Sequence, residues 1–106
     1  MQIDLRKLVG NDGVILAGME RGVAARELFT LDSLDSGSDE VVITAPDNLE
    51  AISPSFVQGF LAGSLKHLGE DGLKTKYKFD LDKHLCEDFS GGIKRLLMKR
   101  KIAGLD

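Results

Sequence analysis

The sequence predicts an α/β (α+β) protein with a mixed β-sheet and helices packed mainly on one face, in the order β-β-α-β-α-β-α. Three stretches carry that expectation. Val41-Val42-Ile43 is a continuous β-branched run, as in a strand covered on both faces. Lys74 to Leu81 alternates, with Thr75, Tyr77, Phe79 and Leu81 one way and Lys74, Lys76 and Lys78 the other, so it reads as a strand with one wet face. Between them, the apolar residues Phe56, Val57, Phe60, Leu61, Leu65 and Leu68 fall at helical spacing, with Ser64 the one polar gap on that face.

The 106 residues, 42% hydrophobic and 29% charged, fit one small globular domain spanning 1–106. No apolar run approaches the roughly 20 residues of a membrane-spanning helix. The opening MQIDLRKLV has no apolar signal-peptide core, so the expected location is cytoplasmic. Cys86 is the only cysteine, which excludes an internal disulfide. The net charge of −3 is unevenly placed. From Glu27 to Leu65 there are seven acids and no Lys or Arg, whereas Lys66 to Asp106 carries ten Lys or Arg against seven acids.

In chain order, Gln2 to Val9 begins by alternating, with Ile3 and Leu5 on one side, and reads as a half-buried strand. Gly10-Asn11-Asp12-Gly13 tolerates positive φ, so a hairpin is expected into a second strand, Val14 to Ala17. Gly18 to Gly22 breaks the pattern, and Val23 to Phe29 reads as a short helix ending near Leu31. Asp32 to Asp39, DSLDSGSD, reads as a polar loop and the most mobile part. Beyond the central strand, Ser53 suits an N-cap and Pro54 the first helical position. Gly69-Glu70-Asp71-Gly72 supplies the stop. The last helix begins around Leu85 to Ser90, with Phe89, Ile93, Leu96 and Leu97 on one face. Gly91-Gly92 either precedes its start or permits close backbone approach. The expected core is Val41, Ile43, Phe56, Phe60, Leu65, Tyr77, Phe79, Ile93 and Leu97.

Little in the sequence points to catalysis. His67 and His84 lack spaced ligand partners, and Cys86 has His84 nearby but no third orienting group. Gly59 and Gly63 mark a small-residue packing face, and no Gly-Lys-Ser/Thr follows a glycine loop. No cofactor or metal is expected. Lys94, Arg95, Lys99, Arg100 and Lys101 crowd the last helix, where cations favour the negative end of the macrodipole. The flanking acids and a pI of 5.3 argue against a dedicated nucleic-acid binder.

Arg21-Gly22-Val23-Ala24-Ala25-Arg26-Glu27-Leu28-Phe29, followed after the apolar strand by Ala51-Ile52-Ser53-Pro54-Ser55-Phe56, resembles the prokaryotic STAS-like family of unknown function. Ala25-Arg26 matches the end of that family's Arg-x-x-Ala-Arg helix start, with Gly22 in the first arginine's place and Arg21 one residue early. Ile52 and Phe56 match its turn with Ile and Phe four residues apart. The resemblance covers roughly residues 13–100. That family is similar in turn to the STAS domains of anti-sigma factor antagonists, which carry Asp-Ser-Ser-Gly at the same turn and are phosphorylated by a kinase partner on the first serine. Here Ser53 falls on the Asp, and Pro54, which cannot be phosphorylated, on the acceptor. Ser55 falls on the neighbouring serine and Phe56 on the glycine.

The resemblance implies a small non-enzymatic, regulatory interaction module whose protein partner is a kinase-like ATPase or a regulator. The partner surface would be made by Asp47, Asn48, Ser53, Ser55 and Gln58. Two alternatives stand beside it: a small-molecule or nucleotide sensor holding an anion at the Ser53 helix start, and weak nucleic-acid binding through the basic last helix.

Overall fold

Strand β3, Val41–Thr44, lies at the centre of a three-stranded parallel sheet in the computed structural model, which describes residues 1–9 and 15–102, with side chains through 98. Its neighbours are β1, Gln2–Asp4, and β5, Tyr77–Asp80; Ile43 is in register with Ile3 on one side and Phe79 on the other. Val41 and Ile43 are wholly buried, as a β-branched run in a central strand should be. A second, two-stranded parallel sheet pairs β2, Ile15–Leu16, with β4, Ala51–Ile52.

These pairings replace the expected β1–β2 hairpin. The alternation of Gln2 to Val9 stops at Asp4, whose carboxylate accepts the Arg6 N–H at 2.9 Å and turns the chain into a single helical turn, α1, Arg6–Val9. β1 and β2 then enter different sheets, each beside a strand distant in sequence. The Gly10–Gly13 turn and Val14 lie outside the described residues. All described pairings are parallel, so the mixed character expected of the sheet is not seen there. The described order is β-α-β-α-α-β-β-α-β-α.

Helix α2, Met19–Leu28, starts four residues earlier than the sequence suggests, and Gly22 lies inside it. The reason is the crossing of α2 over α4, Pro54–Lys76. A Cβ on Gly22 would sit 2.2 Å from the Phe56 carbonyl oxygen, and one on Gly59 would sit 2.2 Å from that of Met19. Two backbones meet where neither has a side chain.

The segment expected as a polar loop is partly helical: α3, Leu31–Ser36, follows a sharp corner at Thr30, whose φ is 53°. Leu31 is wholly buried and Asp35 is 4% exposed, so this turn is packed rather than solvated.

Helix α4 keeps its expected apolar residues, but six consecutive residues, Phe56 to Leu61, are buried, Gln58 and Gly59 among them. A helix buried on one stripe cannot do that; α2 and α5, Lys83–Ile102, cover it from different sides. At Gly69 the helix breaks, with φ 76° and ψ 174°, as expected of a stop, yet it resumes through Lys76. Lys74, Thr75 and Lys76 are therefore helical, and only Tyr77 to Asp80 forms strand. Helix α5 runs without interruption through Gly91-Gly92. The close-approach alternative holds at Gly92, where a Cβ would lie 2.4 Å from the Val57 Cβ. Of the expected core, Val41, Ile43, Phe56, Phe60, Leu65 and Tyr77 are buried, while Phe79, Ile93 and Leu97 pack against it half-exposed. No helix among the described residues is long and apolar enough to cross a membrane.

Candidate functional site

The start of α4 is set by local chemistry. Ser53 is extended (φ −76°, ψ 154°), and its hydroxyl accepts the Phe56 N–H at 3.2 Å while Pro54 takes the first helical position. Its own N–H donates to the Leu16 carbonyl at 2.8 Å, which extends the β2–β4 pairing by one bond. The Ser55 Oγ lies 3.0 Å from that of Ser53, and the Gly18 N–H points at both, at 3.4 Å to Ser53 and 3.3 Å to Ser55. The two serines thus stitch the start of α4 to the start of α2. On the far side, the Asp88 carboxylate of α5 accepts the Ile52 N–H at 2.9 Å.

The structure divides the expected partner surface. Ser53 and Ser55 are adjacent and half-exposed, Asn48 is half-exposed and Asp47 is exposed. Gln58 is only 8% exposed and does not belong to a docking surface. A one-face reading of α4 would turn it outward, but the cover by α2 and α5 encloses it.

Large apolar side chains also face solvent beside the serine turn. Ile15, Met19 and Val23 are 50%, 47% and 43% exposed. Met19 and Val23 are four residues apart on α2, so they share a stripe. The helix buries its small residues Gly22 and Ala25 against the molecule and turns these larger side chains out. The exposed carboxylates Glu20 and Glu27 lie on the same helix, and exposed Glu50 directly precedes β4.

A second constellation lies inside. Arg26 passes over Gly63, where even a Cβ would come within 2.9 Å of the guanidinium carbon. All five of its N–H groups find acceptors. Nε and Nη2 bond Asp32 at 3.2 and 2.7 Å, Nη2 bonds Asp35 at 2.9 Å, and Nη1 bonds the Phe60 carbonyl at 2.9 Å and Ser64 at 2.7 Å. Asp35 also accepts the hydroxyl protons of Ser64 and of Tyr77, the latter at 2.6 Å. Burial works against the Arg26 cation, and its hydrogen bonds to Asp32 and Asp35 more than reverse that, holding its pKa above the usual value. Burial, and then the bond to Asp35, push the Tyr77 phenol well above its ordinary range.

The sequence offered one signal of this network: Ser64 as a polar residue in an apolar stripe. In the sequence Asp35 reads as loop and Tyr77 as core. Ser64 is wholly buried, and its proton is committed to Asp35, so its hydroxyl is closed to a substrate. Four elements are tied together here, and the chemistry is that of a clamp. His67 and His84 are exposed. Among the described residues, no group of three or more His, Cys, Asp or Glu is placed to hold a metal ion. Comparison with protein-family models, curated proteins and solved structures gives no match to the chain.

Proposed function

We propose that the chain is a non-enzymatic, cytoplasmic regulatory module of STAS-like type that docks a protein partner on the start of α4 and the outer side of α2. The observation that carries the reading is the inverted packing of α2, which buries Gly22 and Ala25 and exposes Met19 and Val23 next to the Ser53–Ser55 turn. Large apolar side chains held outward on an ordered helix are what a partner's core contacts use. The resemblance of Ala25-Arg26 and of Ile52 with Phe56 to the prokaryotic STAS-like family supports the class, and supports a kinase-like ATPase or regulator as partner. The surface comprises Met19 and Val23 beside Ser53, Ser55, Asn48 and Asp47, and leaves out the buried Gln58.

The exposed acids Glu20, Glu27, Asp47 and Glu50 outnumber the exposed Arg21 of α2, which calls for a partner with Lys or Arg around an apolar contact and for association that weakens as salt rises. An anion at the same helix start would compete with the Ser53 hydroxyl for the Phe56 N–H, a competition that protein docking on α2 does not involve. On α5, Lys94 and Arg95 are exposed, and the side chains of Lys99, Arg100 and Lys101 lie outside those described.

The test is affinity capture with the wild type, with Met19→Ser/Val23→Ser and with Ser55→Asp, each checked for an unchanged denaturation midpoint. A partner retained by the wild type, lost from the α2 variant and weakened by Ser55→Asp supports the reading. A partner retained equally by all three overturns it.

A further inference from the structure

At the other end of α4 from the serine turn, a groove of about 210 Å³ opens between the last turns of α4, β5 and the middle of α5. Phe79, Cys86, Ser90, Ile93 and Leu97 line it, and among the described residues Lys74 and Lys94 bring the charged groups of the lining, one from each helix. A cavity of about 150 Å³ holds a benzene ring. This one has room for a ring and a carboxylate.

The lining is chemically divided. Phe79, Ile93 and Leu97 are half-exposed and packed from behind by the core. The Phe79 ring already stands 4.7 Å from that of Phe89, so a further ring laid against it continues an aromatic cluster. Lys74 pairs with Glu70 at 2.9 Å, but with 62% and 47% of the two side chains exposed that bond is weak, and the ammonium keeps donors to spare. An apolar floor flanked by two lysines, with no carboxylate among the described lining residues, suits an apolar acid.

We infer that this groove binds a small aromatic carboxylate of benzoate size, with its ring against Phe79, Ile93 and Leu97 and its carboxylate between Lys74 and Lys94. Cys86 supplies the reporter. It is the only cysteine of the chain and one of the lining residues, and its thiol donates weakly to the Phe79 and Leu81 carbonyls.

The experiment measures the rate at which N-ethylmaleimide alkylates Cys86 in the full chain, at constant ionic strength, with benzoate or with neutral benzamide added. Benzoate should slow alkylation saturably with a half-effect at about 1 mM, as suits so few atoms, and benzamide should need about tenfold more. In Lys74→Gln/Lys94→Gln that difference should vanish. Both lysines are exposed, so the fold should be unaffected, which a thermal midpoint checks. Chemical-shift changes from benzoate should centre on Phe79, Ile93 and Leu97. Equal protection of the wild type by the two compounds, protection by neither, or shifts centred elsewhere overturns the assignment.

Discussion

Arg26 and Asp35 form an ion pair across 2.9 Å between α2 and α3, with 11% and 2% of their side chains exposed, and each is saturated by further hydrogen bonds. A buried pair of this kind is a poor source of net stability but a severe loss when one member is removed. Asp35→Ala leaves Arg26, Ser64 and Tyr77 each short of an acceptor and should cost about 3–5 kcal/mol. Asp32→Ala removes a bond to the same guanidinium, but the Asp32 side chain is 91% exposed, so the cost should stay below about 1 kcal/mol. Urea denaturation compares the two, and similar losses would show that the clamp is not centred on Asp35.

Tyr77 is the chain's only tyrosine, so its titration can be followed alone. Its folded-state pKa is raised above the ordinary value of 10 by burial and by donation to Asp35. A raised value means that the fold favours the neutral phenol. That contribution is complete below pH 10 and is lost as pH climbs through the folded value. Phenolate absorbance should therefore stay low at pH 10 and rise only above it, together with loss of circular dichroism. A simple titration centred on 10 with the fold intact would contradict the burial of this group.

Ser53→Ala removes the hydroxyl that caps α4 and should cost about 1 kcal/mol. Ser55→Ala should cost less, because Gly18 can still donate to Ser53. A denaturation midpoint that does not move in Ser53→Ala would assign the cap elsewhere.

The two adjacent glycines of α5 should behave oppositely. At Gly91 an added Cβ meets nothing within 4 Å, and Gly91→Ala should stabilise by about 0.5–1 kcal/mol through helix propensity. At Gly92 the same methyl runs into Val57, and Gly92→Ala should destabilise by about 1–3 kcal/mol. Thermal midpoints that move in the same direction would place the α4–α5 contact somewhere other than Gly92.

What the sequence made legible was local. Val41 to Ile43, the Ser53-Pro54 helix start and the Phe56–Phe60–Leu65 repeat are specified by residues a few positions apart, and all three are found. What it concealed depends on distant partners. Gly22 looks like a helix breaker until Gly59 is brought against it. Asp32 and Asp35 look solvated until Arg26 reaches them. β4 has two residues and no periodicity of its own; it is a strand because Leu16 accepts the Ser53 N–H. The candidate surface divides the same way. The cap makes Ser53 legible in the sequence, whereas the exposure of Met19 and Val23 is not, because only the burial of Gly22 and Ala25 shows which side of α2 is outward.

The parallel pairing of β3 has a consequence for synthesis. One neighbour of this strand comes from residues 2–4 and the other from residues 77–80. A ribosome releases the chain N-terminus first, so β1 and β3 can meet while one edge of β3 is still bare. Val41 and Ile43 then remain without their second neighbour until Tyr77 to Asp80 has emerged and the whole of α4 has been laid down between them. Sheets closed by such long-range contacts form slowly, and an unpaired apolar strand is open to other chains in the meantime. Nascent chains halted between Thr44 and Tyr77 should therefore be the aggregation-prone ones, and those long enough to present Asp80 should be protected.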